Sequence, residues 1–201
     1  DNSFAARYAE HFPELHRLFL LVYGERADGL EALAELVALA LRSWNERPGD
    51  LKALDAERSA DPEWFRSERM LGGVCYVDRY AGSIAKIADH IDYFRELGLT
   101  YLHLMPLFRS PEGNNDGGYA VTSYRETVPA LGTMADLAAL AARLREAGIS
   151  PVVDFIFNHT ASEHEWARKC VAGEPGYEDF YLVFPDRTMP DQYERHTREI
   201  F

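Results

Sequence analysis

Two segments of the chain, 50 residues apart, carry the same order of residue types, and this repeat limits the folds available to the chain. Residues 95–100 read Arg-Glu-Leu-Gly-Leu-Thr, and residues 145–150 read Arg-Glu-Ala-Gly-Ile-Ser. In both, an apolar stripe at helical spacing ends at a glycine, which is typical of a helix C-terminus, and an apolar run of strand length starts at once. A helix that leads directly into a buried strand, twice, predicts repeated βα units with parallel strands and right-handed crossovers.

Three short strands and two helices are predicted after residue 70. We expect the strands at residues 74–77, 100–105 and 151–157. Ser83 is expected to cap the first helix and Gly98 to close it. Thr133 caps the second helix, with Asp136 as a weak capping box, and Gly148 ends it. The predicted apolar stripes are Ile84, Ile87, Ile91, Phe94 and Leu97 in the first helix, and Leu137, Leu140, Leu144 and Ala147 in the second.

The first 70 residues have a different composition. They contain no Ile or Thr and only two Val, Val22 and Val37. Strands favour β-branched residues, so this part is predicted to lack them. Residues 1–66 are interpreted as a helical N-terminal domain with an adapter or oligomerisation role. Its apolar residues recur at helical spacing, as Leu15, Leu18, Phe19 and Val22, and as Leu30, Leu33, Leu36, Val37, Ala40, Leu41 and Trp44.

The alternating strands and helices fit either a doubly wound sheet or a (β/α)₈ barrel. A doubly wound nucleotide-binding sheet usually places a glycine-rich phosphate turn directly after a strand. Residues 72–73 are a Gly pair that precedes its strand, and residues 117–118 are a Gly pair deep inside a long loop. We therefore favour the barrel. Three strands cannot close one, because a complete barrel needs about 250 residues, so the chain is expected to be either a fragment or a fold that does not match its local pattern.

Charge and cysteine content narrow the choice of partners. The formal net charge is −12, from 21 basic and 33 acidic residues, which argues against nucleic acid or an anionic membrane surface as a partner. A neutral sugar is compatible with this charge. The cysteines, Cys75 and Cys170, are far apart and lack metal-ligand spacing, which favours reduced thiols in a cytoplasmic protein. No apolar run has the length of a membrane span.

Barrel enzymes gather their active sites at the C-terminal ends of the strands. This rule selects residues 78–80, the loop at residues 109–124, and the end of the third strand. The loop is much longer than usual and carries Asp116 close to Tyr119. A ring that packs on a sugar face beside a carboxylate would form a sugar subsite. The alternative is an Asp/Gly turn with a packed tyrosine.

The third strand ends in a group of polar residues. Asp154, Asn158 and His159 follow or interrupt its apolar run. A buried carboxylate at Asp154 needs a partner. Asp154 is therefore either a site residue or a structural acid paired with an arginine. His159 is able to bind a sugar hydroxyl, or is a satisfied structural histidine. The combination Asp-x-x-x-Asn-His is more specific than any single member.

These motifs resemble the α-amylase family of glycosidases and transglycosidases, known as glycoside hydrolase family 13. The segment 153–160, Val-Asp-Phe-Ile-Phe-Asn-His-Thr, resembles the family's first conserved region, and residues 97–108 resemble its second strand. Residues 116–121, Asp-Gly-Gly-Tyr-Ala-Val, resemble its Asp-Gly-Tyr loop. Within the family, these segments and residues 162–166 and 184–193 resemble amylosucrases in particular.

The resemblance implies an α/β fold: a helical N-terminal domain over residues 1–66, the first three βα units of a (β/α)₈ TIM barrel over 67–160, and the start of an inserted domain B over 161–201. It implies a retaining mechanism with a carboxylate nucleophile and a general acid/base. Both follow later strands and are expected beyond Phe201, so no catalytic residue is assigned in this chain. Glu163 and Glu165 match neither catalytic motif.

No cofactor is expected from the resemblance. Asn158 matches a calcium ligand of many α-amylases, but no metal is assigned. The other site residues carry over as supporting groups. His159 would bind the glucosyl unit before the scissile bond, Tyr119 would stack under its ring, and Asp116 would form the wall of that subsite. Asp154 and Asn158 would be structural residues near the site.

The activity implied by the resemblance is glucosyl transfer from sucrose to an α-1,4-glucan with release of fructose. A sucrose hydrolase, an oligo-α-glucosidase or trehalose synthase, and an inactive fragment or sugar-binding module remain the alternatives.

Overall fold

The computed structural model describes residues 9–24 and 28–196, and the chain divides into two compact units, with the division between Phe65 and Arg66. The first unit is helical over its described residues. Its helices are α1 (Phe12–Tyr23), α2 (Gly29–Glu46) and α3 (Gly49–Ala60), with 3₁₀ turns at Ala9–His11 and Trp64–Arg66. The predicted domains over 1–66 and 161–201 also include residues 1–8, 25–27 and 197–201, which lie outside the described residues.

The apolar stripes of the first unit are mostly accessible to solvent. In the first stripe Phe19 is buried, whereas Leu18 and Val22 are exposed. Between α2 and α3, Arg47 donates two hydrogen bonds to Asp55, at 2.5 and 2.8 Å. The helical content agrees with the composition argument, because few residues in this part favour strands.

The second unit contains a parallel sheet and a small antiparallel one. Its strands are β1 (Gly72–Tyr76), β2 (Tyr101–Met105), β3 (Phe108–Arg109), β4 (Ser123–Thr127) and β5 (Ser150–Val153). β2 lies between β1 and β5 and is parallel to both, while β3 pairs antiparallel with β4. The helices are α4 (Val77–Tyr80), α5 (Ile84–Ile87), α6 (Ile91–Glu96), α7 (Met134–Glu146), α8 (Glu165–Val171) and α9 (Thr188–Glu194). No helix among the described residues is long and apolar enough to cross a membrane.

The two faces of the parallel sheet differ. On one face Leu102 and Leu104 are buried and belong to the same apolar core as residues of α5, α6 and α7. On the other face the register aligns Val74, His103 and Val152, and the valines are 61% and 39% exposed. The core members from the helices are Ile84, Ile87, Ile91, Phe94, Leu140 and Leu144.

The repeated segments form the same structure twice, as predicted. Gly98 and Gly148 adopt positive φ angles of 78° and 76°. The amide of Leu99 donates to Phe94 at 3.0 Å, and that of Ile149 donates to Leu144 at 2.8 Å. These bonds, from the second residue past the helix back over five residues, define the Schellman motif, which a glycine at positive φ permits. The predicted N-caps Ser83 and Thr133 are also observed, the latter with a complete capping box.

Several predicted boundaries were wrong. The first strand begins at Gly72 rather than residue 74, and Val77 belongs to α4. The ring of Tyr101 packs against Gly72, where an added Cβ would lie 2.0 Å from it, so a larger residue here would require that ring to move. The third strand ends at Val153 rather than residue 157. Leu97 is 47% exposed and not part of the buried stripe, and it lies one residue beyond the end of α6. The 3₁₀ turn Ala88–His90 divides the predicted helix into α5 and α6.

Candidate functional site

The loop after β3 is shaped by glycines. Its 3₁₀ turn, Asp116–Gly118, is capped by Asn115, whose side chain accepts a 3.2 Å hydrogen bond from the Gly118 amide. Gly118 has a φ of 97° and packs so closely that a Cβ would lie 2.4 Å from Cγ of Pro106. Asp116 also has a positive φ, 52°, a region that aspartate enters more readily than most residues. This turn sets the position of Tyr119.

The Tyr119 side chain is directed to the C-terminal ends of the strands. Its hydroxyl donates to Sδ of Met105, the last residue of β2, at 3.5 Å. Burial raises the pKa of the Tyr119 phenol, and the nearby Asp154 and Tyr76 raise that pKa further. The phenol is therefore neutral at physiological pH and presents a half-buried ring beside the sheet.

Asp154 pairs with a histidine of β2. Nε2 of His103 lies 2.9 Å from Oδ1 of Asp154, and the two side chains are 28% and 23% exposed. Oδ2 of Asp154 is buried and has no hydrogen-bond partner among the residues that the structure describes. The prediction that this carboxylate requires a partner thus holds for one oxygen, and the partner is a histidine.

His159 and Asp116 come from different loops and lie near each other. Nε2 of His159 is 3.9 Å from Oδ2 of Asp116, and both side chains are substantially exposed. The amide of Ala161 donates to the carbonyl of Val121 at 2.9 Å, which ties the loop after β5 to the loop that carries Tyr119. Two polar groups that face solvent at a strand end are free to bind the hydroxyls of a ligand.

Asn158 lies next to this pair. Its side-chain nitrogen is 3.3 Å from Nδ1 of His159. Within residues 9–24 and 28–196, no three His, Cys, Asp or Glu side chains form a group that could hold a metal ion. This contact places the Asn158 amide beside the ring of His159.

An aromatic cluster packs around the segment that follows β5. Phe155 stacks on Tyr124 at 4.8 Å between ring centroids, and Phe108 meets Phe155 edge to face at 5.5 Å. The Tyr124 hydroxyl donates to the carbonyl of Ile156. His164 lies at the edge of this cluster, 5.8 Å from Tyr124. Together these rings fix the backbone that leads from Asp154 to His159.

Other candidates lie away from the group. Tyr80 packs on His90 and Phe94, at 4.9 and 5.8 Å between ring centroids. Glu165 pairs with Lys169 at 2.8 Å, which holds the pKa of the Glu165 carboxyl below its usual value. These contacts indicate that Tyr80 and Glu165 stabilise the packing and the ends of helices.

The catalytic carboxylates that the resemblance implies are not among the residues of this group. They are expected beyond Phe201, and Phe201 itself lies outside the described residues, as do residues 197–200. The expected position of the nucleophile and of the general acid/base therefore stays a prediction.

The structure brings the five predicted residues together at one edge of the sheet. Asp116 lies beside His159, and Asn158 contacts His159. The amide of Tyr119 donates to the carbonyl of Asp116 at 3.2 Å, and the charge of Asp154 raises the pKa of the Tyr119 phenol. Sequence reasoning missed His103, although a signal was present. His103 is a lone polar residue in an apolar strand, on the same side as Tyr101 and Met105, which in a period-2 strand is the face opposite the buried leucines.

Parallel strands joined by helices, with polar and aromatic residues at their C-terminal ends, place this part of the chain among parallel α/β proteins, a class that includes the βα-barrel enzymes. The family described as "Alpha amylase, catalytic domain" matches residues 48–199. The chain therefore belongs to the α-amylase family, and its parallel strands are part of a (β/α)₈ barrel of which it contains a portion.

Named relatives share this assignment. The chain is 42% identical to Maltase 1 of Drosophila virilis over 101 residues, which is 50% of this chain and 16% of that protein. It is 32% identical to an α-glucosidase of Apis mellifera over 156 residues, which is 77% of this chain and 26% of that protein. The chain thus spans about a quarter or less of the length of these relatives.

Solved structures show the same fold. Trehalose-6-phosphate hydrolase of Bacillus licheniformis superposes with a TM-score of 0.53 at 29% identity, over 59% of this chain and 22% of that one. A mutant of MutB in complex with its substrate sucrose gives a TM-score of 0.52 at 29% identity, over 60% and 22%. MutB is the trehalulose synthase of Pseudomonas mesoacidophila. Carbohydrate-active enzymes of the α-amylase family are thus the relatives of this chain.

Proposed function

We propose that the whole protein to which this chain belongs is an amylosucrase-like transferase, which moves the glucosyl unit of sucrose to an α-1,4-glucan and releases fructose. The observation that carries this proposal is the convergence of Asp116, Tyr119 and His159, since all three lie in the segments that resemble amylosucrases. Sucrose and the glucan are the proposed ligands, with no nucleic acid, membrane or cofactor involved.

The geometry supports a glucosyl-binding role for these residues. Tyr119 offers a neutral ring for the apolar face of a pyranose. The exposed imidazole of His159 and carboxylate of Asp116, 3.9 Å apart, offer a donor and an acceptor to sugar hydroxyls. Asp154 lies 2.9 Å from His103, and Asn158 lies 3.3 Å from His159, and we assign both a structural role beside the subsite. These residues are proposed to form the substrate-binding side of an active site.

The proposed reaction is a double displacement. A carboxylate nucleophile attacks the anomeric carbon of the glucosyl unit, and the bond to the fructosyl oxygen breaks as a general acid protonates that oxygen. The 4-hydroxyl of the glucan then attacks the anomeric carbon of the covalent intermediate, whose bond to the carboxylate breaks, while the general acid/base, now a base, accepts the hydroxyl proton. Both carboxylates are expected on barrel strands that follow β5, so the residues of this chain bind and orient the substrate.

Two related activities compete with this proposal. A sucrose hydrolase would use the same subsite and transfer the glucosyl unit to water. A maltase or oligo-α-glucosidase is favoured by the 42% identity with Maltase 1. Sucrose as the donor is supported by the structural likeness to MutB with sucrose bound and by the amylosucrase-like segments.

The product balance from sucrose alone separates these activities. The whole protein is incubated with sucrose, and fructose, glucose and α-1,4-glucan are measured, with maltose and trehalose as parallel substrates. The transferase predicts more fructose than glucose, with the difference recovered as glucan. Equal fructose and glucose without polymer would establish the hydrolase. Cleavage of maltose with no fructose from sucrose would reject both sucrose activities.

The isolated 201-residue chain is proposed to lack turnover, because the catalytic carboxylates are expected outside it. Fructose release by the purified chain would overturn this. Saturable, tight sugar binding in a calorimetric titration would instead support a sugar-binding module. Cys75 and Cys170 are both free thiols in the structure, which supports a reducing, cytoplasmic location as a further part of the proposal.

A further inference from the structure

One layer of side chains crosses the parallel sheet at its C-terminal edge. Tyr76 of β1 is in register with Met105 of β2. Leu104 of β2 pairs with Val153 of β5, so Asp154, one residue further, is level with Met105. The hydroxyl of Tyr119 reaches this layer through its 3.5 Å bond to Sδ of Met105. Tyr119 is thus attached to the sheet at the level of Asp154.

His103 fixes the carboxylate in this layer. It lies on the open face of β2, between Val74 and Val152 in the register, and its Nε2 is 2.9 Å from Oδ1 of Asp154. The other oxygen, Oδ2, is buried without a partner among the described residues. An unsatisfied buried oxygen favours rotation of the group toward a donor. The hydrogen bond from His103 opposes that rotation.

Asp154 in turn acts on Tyr119. After burial, the charge of Asp154 is the next largest influence that raises the pKa of the Tyr119 phenol, and Tyr76 adds to it. A carboxylate near a phenol disfavours the charged phenolate, so the hydroxyl keeps the proton that it donates to Met105. A change in the position of Asp154 therefore changes the environment of the hydroxyl that anchors the Tyr119 ring.

We propose that His103 is a positioning residue, which holds Asp154 so that Tyr119 keeps its ring where a glucosyl unit stacks. His103 touches neither the sugar nor the reacting atoms in this account. The inference rests on one part of the proposed function, namely that the Tyr119 site binds a glucosyl unit. It does not depend on which α-glucoside supplies that unit.

A double-mutant cycle in the whole protein tests the chain of contacts. His103→Leu removes the donor, His103→Gln retains an N–H donor on a similar side chain, and Tyr119→Phe removes the hydroxyl but keeps the ring. KM and kcat are measured with the α-glucoside that the wild type cleaves fastest. His90→Gln is the matched control, because His90 is half-buried and packs on Tyr80, away from Asp154.

We expect His103→Leu and Tyr119→Phe each to raise KM by about tenfold with a smaller change in kcat, since ring placement affects bound substrate and transition state alike. The double variant is expected to be no worse than the poorer single variant, as for residues that act through one contact. His103→Gln should recover most of the lost affinity, and His90→Gln should match the wild type.

Additive effects in the double variant, or a wild-type KM for His103→Leu, would overturn the inference. If His103→Leu does not fold, a wild-type KM for Tyr119→Phe overturns it alone, because the hydroxyl would then anchor nothing. Activity on maltose but not on sucrose would reject the sucrose proposal. The double-mutant cycle of His103 and Tyr119 would then be measured with maltose, so the inference would still be tested. A wild type that neither cleaves nor binds any α-glucoside rejects both claims.

Discussion

Gly118 is the residue on which the shape of the Tyr119 loop depends most directly. It is buried, its φ is 97°, and Pro106 occupies the space that a side chain would need. No L side chain fits both conditions, because positive φ and a 2.4 Å approach to a proline ring are each unfavourable. The sequence indicated a functional loop here from its length, but the contact with Pro106 is a tertiary feature that no local pattern contains.

Gly118→Ala is predicted to destabilise the whole protein by about 1–3 kcal/mol through overpacking against Pro106, and to raise KM for the α-glucoside because Tyr119 moves. Thermal unfolding and steady-state kinetics measure the two effects. Gly113→Ala is the matched control, since Gly113 also has a positive φ, 86°, but nothing lies within 4 Å of its added Cβ. Equal effects of both substitutions would show that backbone strain alone, and not the contact with Pro106, matters.

His164 is buried and neutral at physiological pH. Its Nδ1 accepts a 3.1 Å hydrogen bond from the amide of Trp166 and so caps α8. Burial lowers the pKa of His164 below its usual 6.5, although Glu165 opposes this. The unfolded chain therefore binds the proton more readily than the folded one, and protonation also removes the acceptor that caps the helix.

The lowered pKa predicts a loss of stability on the acid side. The contribution of His164 is fully present above about pH 6.5, the unfolded pKa, and decreases as the pH falls toward the lower folded pKa. The test compares the thermal unfolding of the wild type with that of His164→Asn, over a range from about pH 8 to 5. Asparagine keeps a capping side chain but does not titrate. The difference between their midpoints should shift in favour of the variant below about pH 6.5. A constant difference would contradict a buried neutral His164.

Helix α7 shows how an element is specified by sequence and completed by packing. Thr133 and Asp136 exchange hydrogen bonds as a capping box, and the Thr133 side chain and backbone hold the pKa of Asp136 below its usual value. Leu140 and Leu144 are buried against the sheet, while Leu137 and Ala147 pack at the edge of the core. The cap, the stripe and the terminal glycine are all local, which explains why this helix was predictable.

Leu144→Ala is predicted to destabilise the protein by about 2–5 kcal/mol, because Leu144 is fully buried in the core that joins α7 to the sheet. The measured quantity is the midpoint of thermal unfolding. Val171→Ala, at a position 90% exposed, serves as the control and should leave the midpoint nearly unchanged. Similar midpoints for both variants would contradict the assignment of Leu144 to the core.

The antiparallel pair β3 and β4 was not predicted. β3 has two residues, and the pairing has an irregular register between Phe108 and Arg109. A strand this short has no alternating pattern of its own, and its partner lies 14 residues further on, beyond the 3₁₀ turn. The helix-to-strand junctions at Gly98 and Gly148 were predictable for the opposite reason. The backbone hydrogen bonds that form them join residues within a window of six.

At the scale of the whole molecule, the sheet is open on one face. Val74 and Val152 are apolar and accessible, and His103 lies between them. Closure of a (β/α)₈ barrel covers such a face with the layered interior of the barrel. The family assignment agrees with a portion of a barrel, as does the coverage of 16% of Maltase 1 and 26% of the Apis mellifera α-glucosidase.

The site was predictable in part at this scale. Asp116, Tyr119 and His159 were selected as candidates because strand ends in a parallel barrel converge, and because their segments resemble a family. His103 was missed because its role depends on a residue 51 positions away, in a strand that pairs with its own. Pairings between distant segments are set by the fold and are not visible in any one window of sequence.

The central claim, that this edge of the sheet binds the glucosyl unit of an α-glucoside, is tested most directly by kcat/KM of the whole protein with its fastest substrate. Tyr119→Ala and His159→Ala are each expected to lower kcat/KM by roughly 10- to 100-fold, as for removal of a group that positions the substrate. Ser162→Ala, which removes an exposed hydroxyl bonded to its neighbour Glu163, is the control. Values for Tyr119→Ala and His159→Ala that equal the control would contradict the account.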